Sequence, residues 1–221
     1  MKQKTALIVG ATGLVGKHCL EFLLREPVYE RVTVLLRSPL LLQHEKLIQH
    51  TIDFDELETA GGVLTADDVF CCLGTTIKKA GSQDAFRKVD FTYPVKLAAI
   101  TQHLGAAQFL IVSALGSDSH SRIFYNQVKG ETEEALKKIS FNGLHIFRPS
   151  LLLGKREEQR PGELAGAVVM SVLKYALSGS LKKYRAIQAS DVAKAMVRVA
   201  QKNLSKTNIF ESDLIQTIAN E

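Results

Sequence analysis

The first sixteen residues constrain the fold of this chain more than any other stretch. Residues 5–9 form a short apolar run rich in β-forming residues, and residues 17–24 carry apolar side chains at helical spacing. Between them lies a turn with three glycines, and a strand, glycine turn and helix in this order open a dinucleotide-binding fold. The glycines admit a pyrophosphate close to backbone N–H groups at the positive end of the helix. The predicted phosphate-binding residues are Gly10, Thr12, Gly13, Leu14, Val15 and Gly16.

Strand-like and helix-like segments alternate along the chain. The further predicted strands cover residues 31–36, 46–53, 68–73, 108–113 and 144–147. This alternation predicts an α/β fold, a Rossmann-type doubly wound parallel sheet with helices on both faces. A long helix capped by Ser82 or Asp84 is expected to kink or split at Pro94, because proline removes a helical hydrogen bond.

The chain length fits one domain. A chain of 221 residues can bury roughly 70% of its unfolded surface in one core. We expect a single nucleotide-binding domain over residues 1–221, with its core at about 1–150 and a small C-terminal substrate lobe at about 151–221. The elements predicted in this lobe are a loop at 155–162, a helix at 163–177, a strand near 186–188, a helix capped at Ser190 or Asp191, and a strand and helix over 208–219.

Composition argues against several classes of partner. No signal segment and no apolar run long enough to span a bilayer is visible, so no membrane contact is predicted. The three cysteines include the adjacent pair Cys71 and Cys72 on a predicted strand, which indicates free thiols and a cytoplasmic location. The six histidines have no ligand spacing, so no metal site is predicted. A net charge of +5 without basic runs interleaved with aromatics gives no reason to expect nucleic acid.

The residue that follows the second strand bears on the choice of dinucleotide. NAD-binding folds place an acidic residue there to accept the ribose 2′-hydroxyl. This chain has Arg37 beside Ser38, and a guanidinium attracts a 2′-phosphate and offers it paired donors. NADP(H) is therefore the preferred cofactor and NAD(H) a possible one. The alternative is that Arg37 is simply a solvated arginine at the end of a strand.

Three residues suggest acid–base chemistry. Tyr125 and Lys129 lie four positions apart in a helix predicted over 124–139, so their side chains share one face. A nearby ammonium favours the phenolate, which suits a group that exchanges a proton with a carbonyl or alcohol. Ser113 ends the preceding strand and is placed to donate a hydrogen bond to the substrate oxygen. An ordinary strand-end serine is the alternative, and other serines in the same loop compete for the role.

These motifs resemble the short-chain dehydrogenase/reductase superfamily, in its extended or atypical NAD(P)-binding branch. Further segments resemble the Tat-interacting protein oxidoreductase-like group, and the resemblance covers most of the chain in order. These segments are Phe70–Thr76, Phe124–Glu131, Phe147–Pro149 and Arg160–Glu163.

The resemblance implies an NADPH-dependent oxidoreductase that transfers hydride to or from a carbonyl or alcohol of a small-molecule substrate. It places Tyr125 and Lys129 at the nicotinamide and adds further cofactor contacts. These are Asp53 and Phe54 at the adenine, Cys72, Leu73, Gly74 and Thr75 beneath the cofactor, and Pro149, Ser150, Leu151 and Leu152 at the carboxamide end.

One departure supports an alternative function. The superfamily often uses an asparagine before the fifth strand to support a proton-relay water, whereas this chain has Asp90 at the matching place. The small lobe and the absent asparagine favour an NADPH-binding interaction module with little turnover, which would bind a protein partner or form a homodimer. A nucleic-acid binder is the third hypothesis. Its affinity for nucleic acid would fall steeply as the salt concentration rises.

Overall fold

A computed structural model describes residues 3–154 and 179–221. Seven parallel strands form the central sheet in the order β3-β2-β1-β4-β5-β6-β9, and two short strands pair separately. The strands are β1 (Lys4–Val9), β2 (Tyr29–Leu36), β3 (Leu47–Thr51), β4 (Asp68–Cys71), β5 (Gln108–Val112), β6 (Gly143–Arg148), β7 (Leu152–Leu153), β8 (Ile187–Gln188) and β9 (Lys206–Glu211). The strand order reverses between β1 and β4, which is where doubly wound sheets bind their ligands.

Helices cover both faces of this sheet. They are α1 (Leu14–Arg25), α2 (Ile77–Ala80), α3 (Gln83–Arg87), α4 (Tyr93–His103), α5 (Phe124–Lys137), α6 (Ala189–Lys202) and α7 (Ser212–Asn220). Two 3₁₀ segments (Phe54–Leu64 and Gly179–Tyr184) and a π-helical turn (Lys88–Thr92) complete the elements of the described residues. The predicted α/β Rossmann-type fold is confirmed.

The apolar run of β1 explains why both faces are covered. Ile8 packs into the core formed with α1, α6 and α7, whereas Leu7 and Val9 pack into the core on the side of α4 and α5. Successive strand residues point to opposite faces, so a strand buried on both sides must be apolar throughout. The same alternation separates Cys71 from Cys72, which pack into different cores.

The C-terminal residues complete the sheet. β9 pairs in parallel with β6, with Ile146 opposite Ile209, and α6 packs against α1. The division predicted at residue 150 therefore does not coincide with the edge of the nucleotide-binding sheet. The loop predicted at 155–162 and the helix predicted at 163–177 lie outside the described residues.

Several predicted boundaries shift for local reasons. Ser82 caps α3 by accepting a hydrogen bond from Ala85 N at 3.1 Å, and the helical stretch is segmented before Pro94, as predicted. The third strand ends at Thr51, before the predicted Asp53.

The predicted cap of α6 is wrong. The helix begins at Ala189 without a side-chain cap, and Asp191 lies in its first turn. Gln216 Nε2 donates to Asp191 Oδ2 at 3.0 Å. The carboxylate predicted to cap α6 therefore forms a hydrogen bond between α6 and α7.

Candidate functional site

Two glycines of the turn between β1 and α1 leave no room for a side chain. Gly10 has φ +78°, and a Cβ there would lie 2.5 Å from the backbone carbonyl of Cys72. A Cβ on Gly16 would lie 2.1 Å from the carbonyl oxygen of Gly10. The first glycine thus allows close contact with the chain after β4, and the third allows the helix to approach the turn.

The start of α1 is open to an anion. Gly13 precedes the helix without a side-chain cap, and no acidic residue stands in the first turn. Thr12 and Gly13 are exposed, whereas Val15 and Gly16 are buried. The first N–H groups of a helix lack intrahelical acceptors, so this turn fits a pyrophosphate by both hydrogen bonding and charge.

Two contacts join the glycine turn to other predicted cofactor residues. The packing of Gly10 on Cys72 brings residues 72–75 next to the turn. A Cβ on Gly154 would lie 2.8 Å from Leu14 Cδ1, so the end of the 149–154 segment also lies against the start of α1. A hydrogen bond with Cys19 and burial raise the pKa of the Cys72 thiol, which therefore stays neutral.

Arg37 lies at the carboxyl end of β2. Arg37 and Ser38 are both exposed, and no ion pair or hydrogen bond of the Arg37 side chain is found among the described residues. The guanidinium is therefore available to a ligand.

The two residues predicted at the adenine differ in exposure. Asp53 is exposed, and its Oδ1 accepts a hydrogen bond from Asp55 N at 2.9 Å. Phe54 is buried, and its ring lies 5.6 Å from that of Tyr93. Asp53 thus offers the accessible surface of the pair, and Phe54 supports it from the core.

Lys129 forms a buried ion pair. Its Nζ lies 2.7 Å from Asp90 Oδ1, and the two side chains are 7% and 0% exposed. The other carboxylate oxygen accepts a hydrogen bond from Thr75 N at 2.9 Å. A Cβ on Gly74 would lie 4.0 Å from Lys129 Nζ, so the loop after β4 passes directly beside the ammonium at Gly74.

The pKa of Lys129 reflects two opposing effects. Burial lowers the pKa, while the charges of Asp90 and Tyr125 raise it, and the net result is a pKa above the ordinary value. Tyr125 lies one helical turn earlier on α5, and its ring packs 5.6 Å from that of Phe86. The structure thus brings a charged lysine and a tyrosine to the edge that carries the glycine turn.

Ser113 is committed to a different cluster. Its Oγ donates to Glu133 Oε1 at 2.5 Å and lies 3.0 Å from Ser117 Oγ. Glu133 is buried and pairs with Arg148, whose Nε donates at 3.0 Å. The Ser113 proton therefore points to Glu133, so the expected donor to a substrate oxygen is engaged within the protein.

The segment that follows β6 is held by hydrogen bonds to the C-terminal elements. The Pro149 carbonyl accepts from Leu115 N at 2.9 Å, and Ser212 Oγ accepts from Ser150 N at 2.8 Å. Leu151 is exposed, and its carbonyl accepts from Ile187 N at 3.0 Å. Leu152 pairs with Ile187 in the small sheet. The four residues predicted at the carboxamide end thus form one anchored stretch.

Sequence reasoning missed several residues that shape this site. Thr132 Oγ1 donates to the Asp90 carbonyl at 2.9 Å, and a Cβ on Gly130 would lie 2.2 Å from Ser119 N. Gly130 directly follows Lys129, so the sequence motif includes it. The sequence does not show, however, that the loop containing Ser119 packs against it. No local pattern marks Glu133 or Thr132 as partners of distant residues.

Comparison with known proteins gives the family. The sequence profile of the NAD dependent epimerase/dehydratase family matches residues 6–211. The chain belongs to this family. Protein HTATIP2 of Rattus norvegicus is 38% identical over 167 residues, 74% of this chain and 69% of that protein. Protein FMP52-1, mitochondrial, of Scheffersomyces stipitis is 30% identical over 209 residues, 91% of this chain and 90% of that protein. Both the predicted superfamily and the predicted group are thereby confirmed.

Solved structures agree on the fold. MoeE5 in complex with UDP-glucose and NAD superposes with a TM-score of 0.69 at 16% identity, covering 93% of this chain and 74% of that chain. A UDP-N-acetylglucosamine 4-epimerase from Methanobrevibacter ruminantium gives a TM-score of 0.68 at 14% identity, covering 96% of this chain and 77% of that chain.

Within the described ranges, no helix has the length and hydropathy needed to cross a membrane.

Proposed function

We propose that this chain is an NADP(H)-preferring oxidoreductase that transfers hydride between the nicotinamide and a carbonyl or alcohol carbon of a small molecule. The continuous path from the glycine turn to Lys129 carries the proposal. Gly10 packs on Cys72, and Gly74, two residues on, lies beside Asp90 and Lys129. A dinucleotide with its pyrophosphate at the turn would therefore extend toward Tyr125 and Lys129.

The preference for NADP(H) rests on Arg37. Its exposed guanidinium stands where an acidic residue would favour NAD(H), and a carboxylate there would repel a 2′-phosphate. Similar solved structures are complexes with NAD, so NAD(H) is the competing cofactor.

The chain's own residues supply binding, orientation and proton transfer. The bound nicotinamide supplies the hydride chemistry. Lys129 would hold the ribose hydroxyls, and Tyr125 would donate a proton to the substrate oxygen in reduction and accept one in oxidation. Because Ser113 donates to Glu133, its predicted role at the substrate oxygen would require that hydrogen bond to rearrange.

Turnover tests the proposal. We expect NADPH oxidation with at least one member of a panel of aldehydes, ketones and quinones, and Tyr125→Phe should reduce it by about 100-fold or more. Tyr184→Phe is the matched control, because Tyr184 is 47% exposed and belongs to no predicted site. Full activity in Tyr125→Phe would contradict the assigned mechanism.

An interaction module is a second candidate function. The engagement of Ser113 by Glu133 favours it, since the hydrogen-bond donor expected at the substrate oxygen is occupied. This function predicts NADPH binding without turnover, together with a protein partner or second copy whose capture changes when NADPH is added. Pull-down and sedimentation with and without NADPH distinguish it from the enzyme.

The cellular location also needs a test. Free thiols favour the cytoplasm, while the names of the fungal relatives include "mitochondrial". We propose the cytoplasmic location, and recovery of the protein in a purified mitochondrial fraction would contradict it.

A further inference from the structure

A buried carboxylate faces the lysine of the proposed site. Asp90 Oδ1 lies 2.7 Å from Lys129 Nζ, and no described residue offers this oxygen a well-aligned hydrogen bond. The contact is therefore an ion pair, held by charge and proximity. A lone buried ammonium is costly, and a carboxylate at this distance offsets much of that cost.

The fold holds Asp90 from three directions. Thr75 N donates to its Oδ2 at 2.9 Å, and Thr132 Oγ1 donates to its carbonyl oxygen at 2.9 Å. Asp90 also lies in the π-helical turn (Lys88–Thr92), an irregular element that is frequent at functional sites. Its backbone, one oxygen and the ion pair thus fix a single arrangement that joins α5 to the loop after β4.

We propose that Asp90 is a positioning residue of this site, which keeps Lys129 charged and holds it beside Gly74, where the nicotinamide ribose would lie. This inference rests on the proposed function. The same carboxylate tethers Thr75, so one side chain sets both the lysine and the loop that would pass beneath the cofactor. The role proposed for Asp90 differs from that of the asparagine often found in the superfamily. An asparagine amide carries no charge and therefore cannot balance the charge of the ammonium.

The other groups that face Lys129 do not replace Asp90. Cys71 of β4 is buried, and that burial raises its pKa to about 12, so its thiol is neutral. Tyr125, on the preceding turn of α5, contributes less to the raised pKa of Lys129 than Asp90 does.

The next turn of α5 carries Glu133. Its charge is balanced by Arg148, whose Nε donates to both carboxylate oxygens at 3.0 and 3.1 Å. Asp90 therefore carries the main charge that opposes the effect of burial on Lys129.

The test follows the titration of Lys129 directly. The full-length protein, without dinucleotide, is labelled with ¹⁵N-lysine, and the Lys129 signal is assigned by its loss in Lys129→Arg. We expect the wild-type ammonium to stay protonated above the pH of about 10.4 at which surface lysines titrate. In Asp90→Asn, burial acts almost alone, so the pKa of Lys129 should fall below that of surface lysines by about one unit or more.

Two variants separate charge from structure. Asp90→Glu keeps the carboxylate and should restore the high pKa of Lys129. Glu134→Gln is the matched control, because Glu134 is an exposed carboxylate of α5 that pairs with Lys137 at 2.7 Å. Once a substrate is known, Asp90→Asn should also add an alkaline limb to the pH–rate profile, where Lys129 loses its proton.

The outcomes are separable from those of the proposed function. An unchanged titration of Lys129 in Asp90→Asn would overturn the inference, as would a wild-type Lys129 that titrates with the surface lysines. The wild-type measurement decides alone if Asp90→Asn does not fold. Because no dinucleotide is present, a failure of NADPH to bind or turn over leaves this result intact.

Discussion

At the residue scale, Arg37 offers the sharpest test of cofactor choice. Arg37→Asp should weaken NADPH binding and reverse the preference toward NADH, because a carboxylate repels a 2′-phosphate and accepts a 2′-hydroxyl. A charge-assisted hydrogen bond is worth about 1.5 to 3 kcal/mol, so we expect a loss of NADPH affinity of roughly 10- to 100-fold. Calorimetric titration with both dinucleotides measures it.

The control for this prediction lies on β2, the strand that Arg37 directly follows. Arg31 is exposed near the other end of β2, so Arg31→Asp should leave the ratio of NADPH to NADH affinity unchanged. Equal affinities for both dinucleotides in the wild-type protein would contradict the inference that Arg37 selects NADP(H).

At the element scale, the π-helical turn depends on a hydroxyl of α5. Thr132 Oγ1 lies 2.9 Å from the Asp90 carbonyl oxygen and 2.8 Å from the Val128 carbonyl oxygen of its own helix, so the two acceptors share one proton. Thr132→Val removes this donor without changing the shape of the side chain much. A buried carbonyl without its donor costs about 1 to 3 kcal/mol. We expect a loss of that size in the free energy of urea unfolding, together with weaker dinucleotide binding.

Thr101 supplies the comparison for this element. It is buried in α4, and its hydroxyl donates at 2.8 Å to the Leu97 carbonyl within its own helix. Thr101→Val removes no contact between elements, so it should destabilise less and leave dinucleotide affinity unchanged. Equal losses of stability and of dinucleotide affinity in the two variants would contradict the prediction that Thr132 supports the π-helical turn.

At the scale of the whole molecule, a polar network crosses the sheet near the amino ends of its strands. Asp68 accepts from Tyr29 at 2.8 Å and from Gln108 at 2.7 Å. Gln108 Oε1 lies 3.1 Å from His145 Nε2, and Asn208 Nδ2 lies 3.5 Å from His145 Nδ1. A neutral imidazole that donates from Nε2 satisfies both neighbours, whereas a protonated ring would face the Asn208 donor.

His145 makes the stability of the fold sensitive to acid. Burial lowers the pKa of His145 from 6.5 to about 4, so the unfolded chain takes up this proton first as pH falls. The contribution of His145 to stability is therefore fully present above pH 6.5 and is lost as the pH falls toward 4. The shift corresponds to a loss of about 3 kcal/mol, measurable by urea unfolding across this range.

A variant comparison isolates this contribution. His145→Gln does not titrate and should lose less stability between pH 6.5 and 4 than the wild-type protein, whatever its stability at pH 7. Burial raises the pKa of Asp68, which acts in the opposite direction, and the comparison subtracts that effect. His44→Gln, at an exposed position, should keep the wild-type slope, and an identical slope in His145→Gln would refute the prediction.

The predictions from sequence succeeded where local backbone requirements decide the structure. The glycine turn follows from close contacts around Gly10 and Gly16, and the sheet follows from strands that are apolar on both faces. They failed where two elements compete for one side chain. Asp191 bonds to Gln216 instead of capping α6. The role of Ser113 at a substrate oxygen stays a prediction, and what the sequence did not show is that its hydroxyl donates to Glu133.

The sequence by itself determined the strand–glycine–helix unit, the parallel α/β sheet and the pairing of Tyr125 with Lys129 on one helix. These depend on spacing within one element, which a linear pattern records. Only the tertiary structure decided that Asp90 faces Lys129, that Glu133 holds Ser113, and that β9 joins the sheet. A buried charge takes its partner from whichever element packs against it, and that packing is a property of the whole chain.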